Sequence, residues 1–287
     1  MDLCYPPVFA GACAPDDPVF HRPKGSPSAQ SASWNAIVAV DEYANVDVDW
    51  YREKFGKAEG ERRFFAQHRP TDSRVVRHNM LMIGGSSNIW QYAIGNGTTT
   101  SGQALTYLNG SNAHLCVGDS STAEAQDQTD LQATTNKVRQ LVDSGYPSHA
   151  TGTTGQAITG ATNASPIVVT CTNSYSEGDF VFIQGVGGNT AANGVWRVTS
   201  VSGTGFTLEG STGNGSYTSG GVASKSRVLT LQATFSPSTA NFAWNEWGIA
   251  NASSGQRLFN RKVASLGTKT SAGSWTLRAG VGLGDRA

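Results

Sequence analysis

Several side chains in this 287-residue chain are of types that carry chemistry, and their spacing decides what each can do. Asp41, Glu42, Asp47 and Asp49 form an acidic group of the kind that holds calcium, but the spacing and the turn glycine of a calcium loop are missing, so solvated carboxylates are expected. Ser120 follows the strand-like run Ala113 to Val117 and the pair Gly118-Asp119, a setting for a serine nucleophile. Such a serine needs a histidine to take its proton and an acid to orient that histidine. No histidine follows His149, and Asp119 and Ser120 read as a turn or a helix cap before Ala123 and Glu124. Cys171 lies on a strand with no histidine or lysine near it in sequence, which describes a buried small residue and not a nucleophile. Trp244 and Trp247 flank Glu246, and aromatics beside a carboxylate suit a sugar. Tryptophans along a strand more often fill a core or an interface, and Glu246 then pairs with Arg261 or Lys262 across a hairpin. Two carboxylates far apart in sequence suffice to cleave a glycan, with Asp119, Asp130, Asp143, Asp179 and Glu246 as candidates. No P-loop, paired-histidine zinc motif or dinucleotide fingerprint is present. The expectation is a non-enzymatic protein with no catalytic residues, no metal site and no cofactor.

Composition points the same way. Charged residues make up 15% of the chain against about 25% in ordinary globular domains, while glycine, at 34 residues, exceeds its usual share of about 7%. Low charge with abundant Gly, Ser, Thr and Asn marks a turn-rich β protein. A formal net charge of zero supplies no field to draw nucleic acid or anionic lipid, and no apolar run is long enough to span a bilayer. The first residues lack the basic flank and apolar core of a signal peptide, so synthesis in the cytoplasm is expected. Cys4, Cys13, Cys116 and Cys171 form no CxxC pair; free thiols are expected, a Cys4–Cys13 bridge being the alternative.

The elements that must position these residues follow in chain order. Residues 1–33, with Pro6, Pro7, Pro15, Pro18, Pro23 and Pro27, form an extended arm, expected to lie across a neighbouring subunit. Residues 34–78 are mixed: a strand-like stretch from Trp34 to Val48, then an amphipathic helix over Trp50 to Arg69, or two broken at Gly56 and Gly60. Residues 79–155 with 225–287 form a β scaffold. It begins with a short helix or strand pair through Ile89, Trp90, Tyr92 and Ile94 that ends in a glycine turn at 95–97. The strand at 137–142 is expected to pair with Arg227 to Phe235. Phe242 and Trp244 share one face, while Trp247 and Ile249 join it only after a one-residue shift, which places a bulge near Asn245-Glu246. Asn251 to Gly255 is the turn of this hairpin and Arg257 to Val263 its return strand. Between the two scaffold parts, residues 156–224 carry four short β-rich runs at 167–171, 180–183, 194–198 and 206–208, separated by glycine turns. They read as an inserted module at a loop tip, an exposed knob on which Trp196 and Tyr217 could stack on sugars.

The run WNEWGIANASSGQRLFNRKVASLGTK (244–269) resembles a motif of tailed-bacteriophage virion structural proteins, of the tail-fibre or head-associated kind. Leu115 to Thr122, Gln128 to Leu131, Asp143 to Pro147 and Ser274 to Leu277 match the same pattern in the same order, so the resemblance covers residues 79–150 and 226–283. The insert, over residues 160–224, resembles a small β-barrel that phage tail proteins share with the first catalytic-cysteine half-domain of ubiquitin-activating enzyme, which implies a fold and not ubiquitin chemistry. Gly118-Asp119-Ser120 also resembles the nucleophile block of a lipase-like hydrolase family, whose acid and late histidine are missing here. The phage resemblance implies a virion component, most readily tail-associated, assembled as a homo-oligomer with other virion proteins. The alternatives are a capsid-decoration or head-fibre protein and an appendage that binds host glycan. Phe242, Trp244, Glu246, Trp247, Phe259, Arg261 and Lys262 are then core or assembly residues. The expected fold is mainly β: a β-sandwich-like scaffold with a short helical N-terminal segment and an inserted small β-barrel.

Overall fold

A computed structural model describes residues 32–95, 106–152, 154–255 and 258–285. Residues 1–31 of the expected arm, the Cys4–Cys13 question and most of the 95–97 turn lie outside these residues, and the arm's last two positions, 32 and 33, begin a strand. The strands are β1 (Ala32–Ala44), β2 (Asp72–Arg77), β3 (Met80–Leu81), β4 (His114–Gly118), β5 (Lys137–Leu141), β6 (Gln156–Ala161), β7 (Val168–Cys171), β8 (Phe180–Gln184), β9 (Gly194–Ser202), β10 (Gly205–Leu208), β11 (Val222–Ser224), β12 (Val228–Phe235), β13 (Ala243–Ala250), β14 (Leu258–Thr268) and β15 (Gly273–Asp285). The helices are α1 (Val48–Phe55), α2 (Lys57–Gln67) and α3 (Ile83–Ile94). The protein is mainly β, as its composition requires.

Two antiparallel sheets form the scaffold, one in the order β12-β15-β1-β2 and one in the order β3-β14-β13-β4-β5. Their facing sides make the largest core. Val38, Val40, Leu231, Ala233, Phe235 and Leu277 come from the first sheet, and Leu115, Val117, Trp244, Trp247, Ile249 and Leu266 from the second. Strand β13 reaches this core with both tryptophans because its register with β14 shifts between Trp244 and Glu246. That bulge sits where the side-chain alternation placed it. It also turns Glu246 to the opposite face of the sheet.

Strand β5 departs from expectation. It pairs with β4, Lys137 opposite Gly118 and Leu141 opposite His114, while β12 lies in the other sheet beside β15. Between this region and β12, the backbone hydrogen bonds come from the segment after β5, the Asp143 N–H donating to the Gln232 carbonyl at 2.8 Å. Alternation identified both strands correctly but carries no information on which strand is whose neighbour.

The helical pair breaks at Gly56 alone, whose φ of +77° suits a residue without a side chain. Gly60 lies inside α2, where a Cβ would fall 2.3 Å from the Tyr51 carbonyl oxygen, so glycine there lets α2 cross closely over α1.

Strands β10-β7-β6-β11-β8-β9 close into a barrel. Val169, Val181, Ile183, Trp196, Val198 and Phe206 fill its interior. The barrel is not an exposed knob. Phe180, Phe182 and Val195 on its outer wall pack against Ile37 and Ala39 on the back of the first sheet. This accounts for β1, whose residues are apolar on both faces because both are covered. Strand β15 makes room in the same place: a Cβ on Gly280 would meet Phe180 at 2.6 Å, and one on Gly282 would meet Phe182 at 2.6 Å. The described residues are therefore stacked in three layers, barrel, sheet and sheet.

Candidate functional site

The residues of the aromatic hairpin come together as an interior clamp. Trp244, Trp247, Glu246 and Arg261 are fully buried, Phe259 nearly so, and Phe242 packs half-buried at the edge of the core. Glu246 Oε2 accepts a hydrogen bond from Arg261 Nε at 2.7 Å and one from the Gln132 backbone N–H at 3.0 Å. Its Oε1 accepts from the Ala133 N–H at 2.7 Å. The rest of the guanidinium is used on the same loop: Nη1 donates to Gln128 Oε1 at 2.9 Å and Nη2 to the Thr122 carbonyl at 2.8 Å. Lys262 pairs with Glu124 at 3.3 Å, and Glu124 also accepts from the Val263 N–H. A buried carboxylate and a buried guanidinium are tolerable together because each satisfies the other and the backbone around it. Their work is to hold the strandless segment between β4 and β5 against the second sheet.

The remaining carboxylates singled out in the sequence do not converge. Asp119 accepts from Asn136 Nδ2 at 2.7 Å, Asp130 from Lys137 and Arg139, and Asp179 from Lys225. At Asp130, burial pushes the carboxyl up, but the hydrogen bonds from Lys137 and Arg139 outweigh it and hold the group below its ordinary range. Ser120 makes a local turn, its Oγ accepting from the Thr122 N–H at 3.1 Å, and no helix follows. Burial pushes the Cys116 thiol up to about 12 and raises that of Cys171, which leaves both inert as nucleophiles. Among the described residues, no three His, Cys, Asp or Glu side chains cluster as metal ligands, and no helix is long and apolar enough to cross a membrane.

Two expectations for side-chain placement require correction. Trp196 is not displayed on the barrel. It is 1% exposed, its indole N–H donates to the Ala192 carbonyl at 2.8 Å, and the Arg77 guanidinium carbon lies 3.3 Å from its ring centroid. The side chain faces inward from β9 and fills the barrel, as a strand tryptophan with a polar partner does. Tyr217 is half-buried, with its hydroxyl within 3.1 Å of the carbonyls of Ile158 and Gly220. The acidic group around β1 is also not simply solvated. Asp49 and Asp47 serve α1, Glu42 pairs with Arg74, and Asp41 is 1% exposed.

Asp41 leads to a feature invisible in the sequence. It faces the barrel and binds Arg197 of β9 through both oxygens, at 3.0 and 3.1 Å, with Ser73 donating to Oδ1 at 2.6 Å. Arg197 Nη1 also stands 3.4 Å from Glu209 Oε2, and its Nε has no hydrogen-bond partner. Burial pushes the Glu209 carboxyl above its ordinary range, against the pull of Arg197. Beside this cluster opens a cleft of about 990 Å³. One wall is α2 and residues 68–73, one end is 143–146, and the other wall is the barrel with Glu177, Thr199 and Glu209.

The helical segment is fixed over the cleft by a second buried carboxylate. Asp143 accepts from Arg52 Nη2 at 3.0 Å and from the Thr234 N–H and hydroxyl, while Glu61 accepts from Arg52 and from the Ser144 N–H. The cleft thus has rigid walls. Arg69, without a partner of its own among the described residues, and the exposed Glu177 offer it both signs of charge, with Phe65 and Tyr146 as aromatic surface. Such a lining suits a hydroxyl-rich polar ligand.

No known protein family's model matches the chain, and no curated protein matches it.

Proposed function

We propose that this chain is a non-enzymatic structural component of a tailed-phage virion, tail-associated, built on its two-sheet scaffold. The supporting observation is the position of the motif residues. The side chains that carry the resemblance, Trp244, Glu246, Trp247 and Arg261, are enclosed in the scaffold and spent on holding it together, so the motif reads as the signature of an architecture and not of a catalytic centre. Quantitative staining of intact particles against the major shell protein tests this. A few to a few tens of copies fits a tail, collar or vertex; hundreds make it a capsid-covering or head-fibre protein; absence from particles overturns the reading.

The cleft favours a second reading, binding of a host-surface glycan within the same virion role. Its wall-to-wall charged and aromatic lining is that of a polar-ligand site, and its volume is that of a small oligosaccharide. Saturation-transfer NMR with host polysaccharide fragments is expected to show transfer that disappears in the Arg69→Ala, Glu177→Gln variant. Transfer that is absent from the parent, or undiminished in the variant, removes this reading.

A further inference from the structure

Helix α3 is turned the opposite way from an ordinary surface helix. Its residues, IGGSSNIWQYAI, include no charge, and the side chains it buries are Asn88 and Gln91, next to Gly85. Ile83, Trp90 and Ile94 instead point to solvent, 62%, 68% and 70% exposed. At 100° per residue these three fall within about 40° of one another, so they form a single ridge.

The orientation is imposed by packing. A Cβ at Gly85 would lie 2.2 Å from the Phe259 carbonyl oxygen, so only the glycine face can rest on β14, and rotating the helix to bury the ridge would drive a side chain into that strand. Tyr92 is tied down as well, its hydroxyl donating to the Thr106 carbonyl at 2.7 Å while Asn251 Nδ2 lies 3.2 Å from it. The cost of exposing the ridge is therefore built into the fold.

Beside the ridge lies its complement. The other flank of α3, through Ile89 and Tyr92, lines an apolar groove of about 500 Å³ floored by Leu229 and Phe259, with Tyr107 and Leu283 each 53% exposed at its rim. The groove is large enough to take an indole and the isoleucine one turn beyond it. The ridge carries no charge and the groove only Arg227 on its lining, so no charge of the ridge is set against one of the groove.

A lipid surface is the poorer occupant, because an interfacial helix carries lysines and arginines along its polar face and α3 has none. The ridge presents on the order of 400 Å² of apolar surface, the size at which a patch marks an interaction site. Two such ridges seated in two such grooves bury on the order of 1,100 Å² in all, just above the roughly 1,000 Å² that a specific protein interface must clear.

We propose that α3 is a self-association surface, on which Ile83, Trp90 and Ile94 of one copy seat in the apolar groove of a second copy. The proposal rests on the reading of the chain as an assembling structural component, and names the surface through which its copies join. It is tested by sedimentation velocity on the purified full chain across micromolar concentrations. The parent chain is expected to associate. Trp90→Asp with Ile94→Asp, which spoils the ridge, and Leu283→Asp, which spoils the groove, are each expected to weaken association about 100-fold or more. All three side chains are exposed, so circular dichroism and melting temperature should stay at parent values. Mixing the two variants should restore a weaker association through the one intact ridge and groove. A monomeric parent chain, or association that neither variant disturbs, overturns the proposal. Particle staining is read separately: a monomeric chain found in particles sinks only the interface, and a self-associating chain absent from particles sinks only the virion role.

Discussion

Glu246–Arg261 and Asp41–Arg197 are both buried arginine–carboxylate pairs, and they are built to different standards. Glu246 and Arg261, inside the second sheet, are both 0% exposed, and the guanidinium uses Nε and both terminal nitrogens on a side chain and a loop that enclose it. Asp41 and Arg197, between barrel and first sheet, are more loosely finished. Arg197 Nε is unbonded, Glu209 Oε2 has no hydrogen bond, and a cleft opens alongside. Both networks tie together segments distant in sequence, yet only the second borders space that a ligand or water can enter. A closed network fixes structure, whereas an incomplete one beside a cavity leaves polar groups for something else to satisfy.

The contrast can be broken from either side. The largest effect is expected from Arg261→Met, which strands Glu246 where water cannot reach it and frees the segment between β4 and β5. Chemical denaturation should show a loss of about 3–5 kcal/mol. Arg197→Met should cost less, about 1–3 kcal/mol, because Asp41 keeps Ser73 and the cleft can supply water. Equal losses from the two variants would erase the distinction.

The smallest effect sharpens it. The folded-state pKa of Glu209 lies above its unfolded value, so the stability it contributes is present below the unfolded value and is lost as pH rises through the folded one. Glu209→Gln stays neutral and should retain that contribution, raising Tm at pH 7 by on the order of 2 °C and leaving it unchanged near pH 4. A Tm lowered at pH 7 would mean that the ion pair with Arg197 outweighs burial.

Much of the fold was legible because it follows from local periodicity. The bulge in β13 showed in the shift from Phe242 and Trp244 to Trp247 and Ile249, the helix break showed at Gly56, and the runs of the barrel stood between their glycine turns. Pairing was not legible. Strand β5 shows which residues share a face, and nothing in Lys137 to Leu141 says that β4 is its neighbour. The cleft was hidden for the same reason: Asp41 and Arg197 lie 156 residues apart, and the acidic cluster around Asp41 looked solvated because its partner arrives from the barrel. Trp196 was misplaced because an aromatic on a short strand of a small module has two faces open to it, and only barrel closure decides between them. The α3 ridge left a trace in the sequence, an uncharged helix with Ile83, Trp90 and Ile94 in phase, but which face is buried depends on Gly85 meeting β14.

The alternation of Ala279, Gly280, Val281 and Gly282 on β15 bears on how this chain can be re-engineered. The alanine and valine serve the core between the sheets, and the glycines are notches cut to receive Phe180 and Phe182. An insertion between two strands of the scaffold looks like a cassette to be exchanged for another barrel. Here the socket is written into a strand that follows the cassette by about fifty residues. A substitute without two aromatics at the matching spacing would leave Ile37, Ala39 and both notches bare, so exchange of the barrel has to be accompanied by recoding of β15.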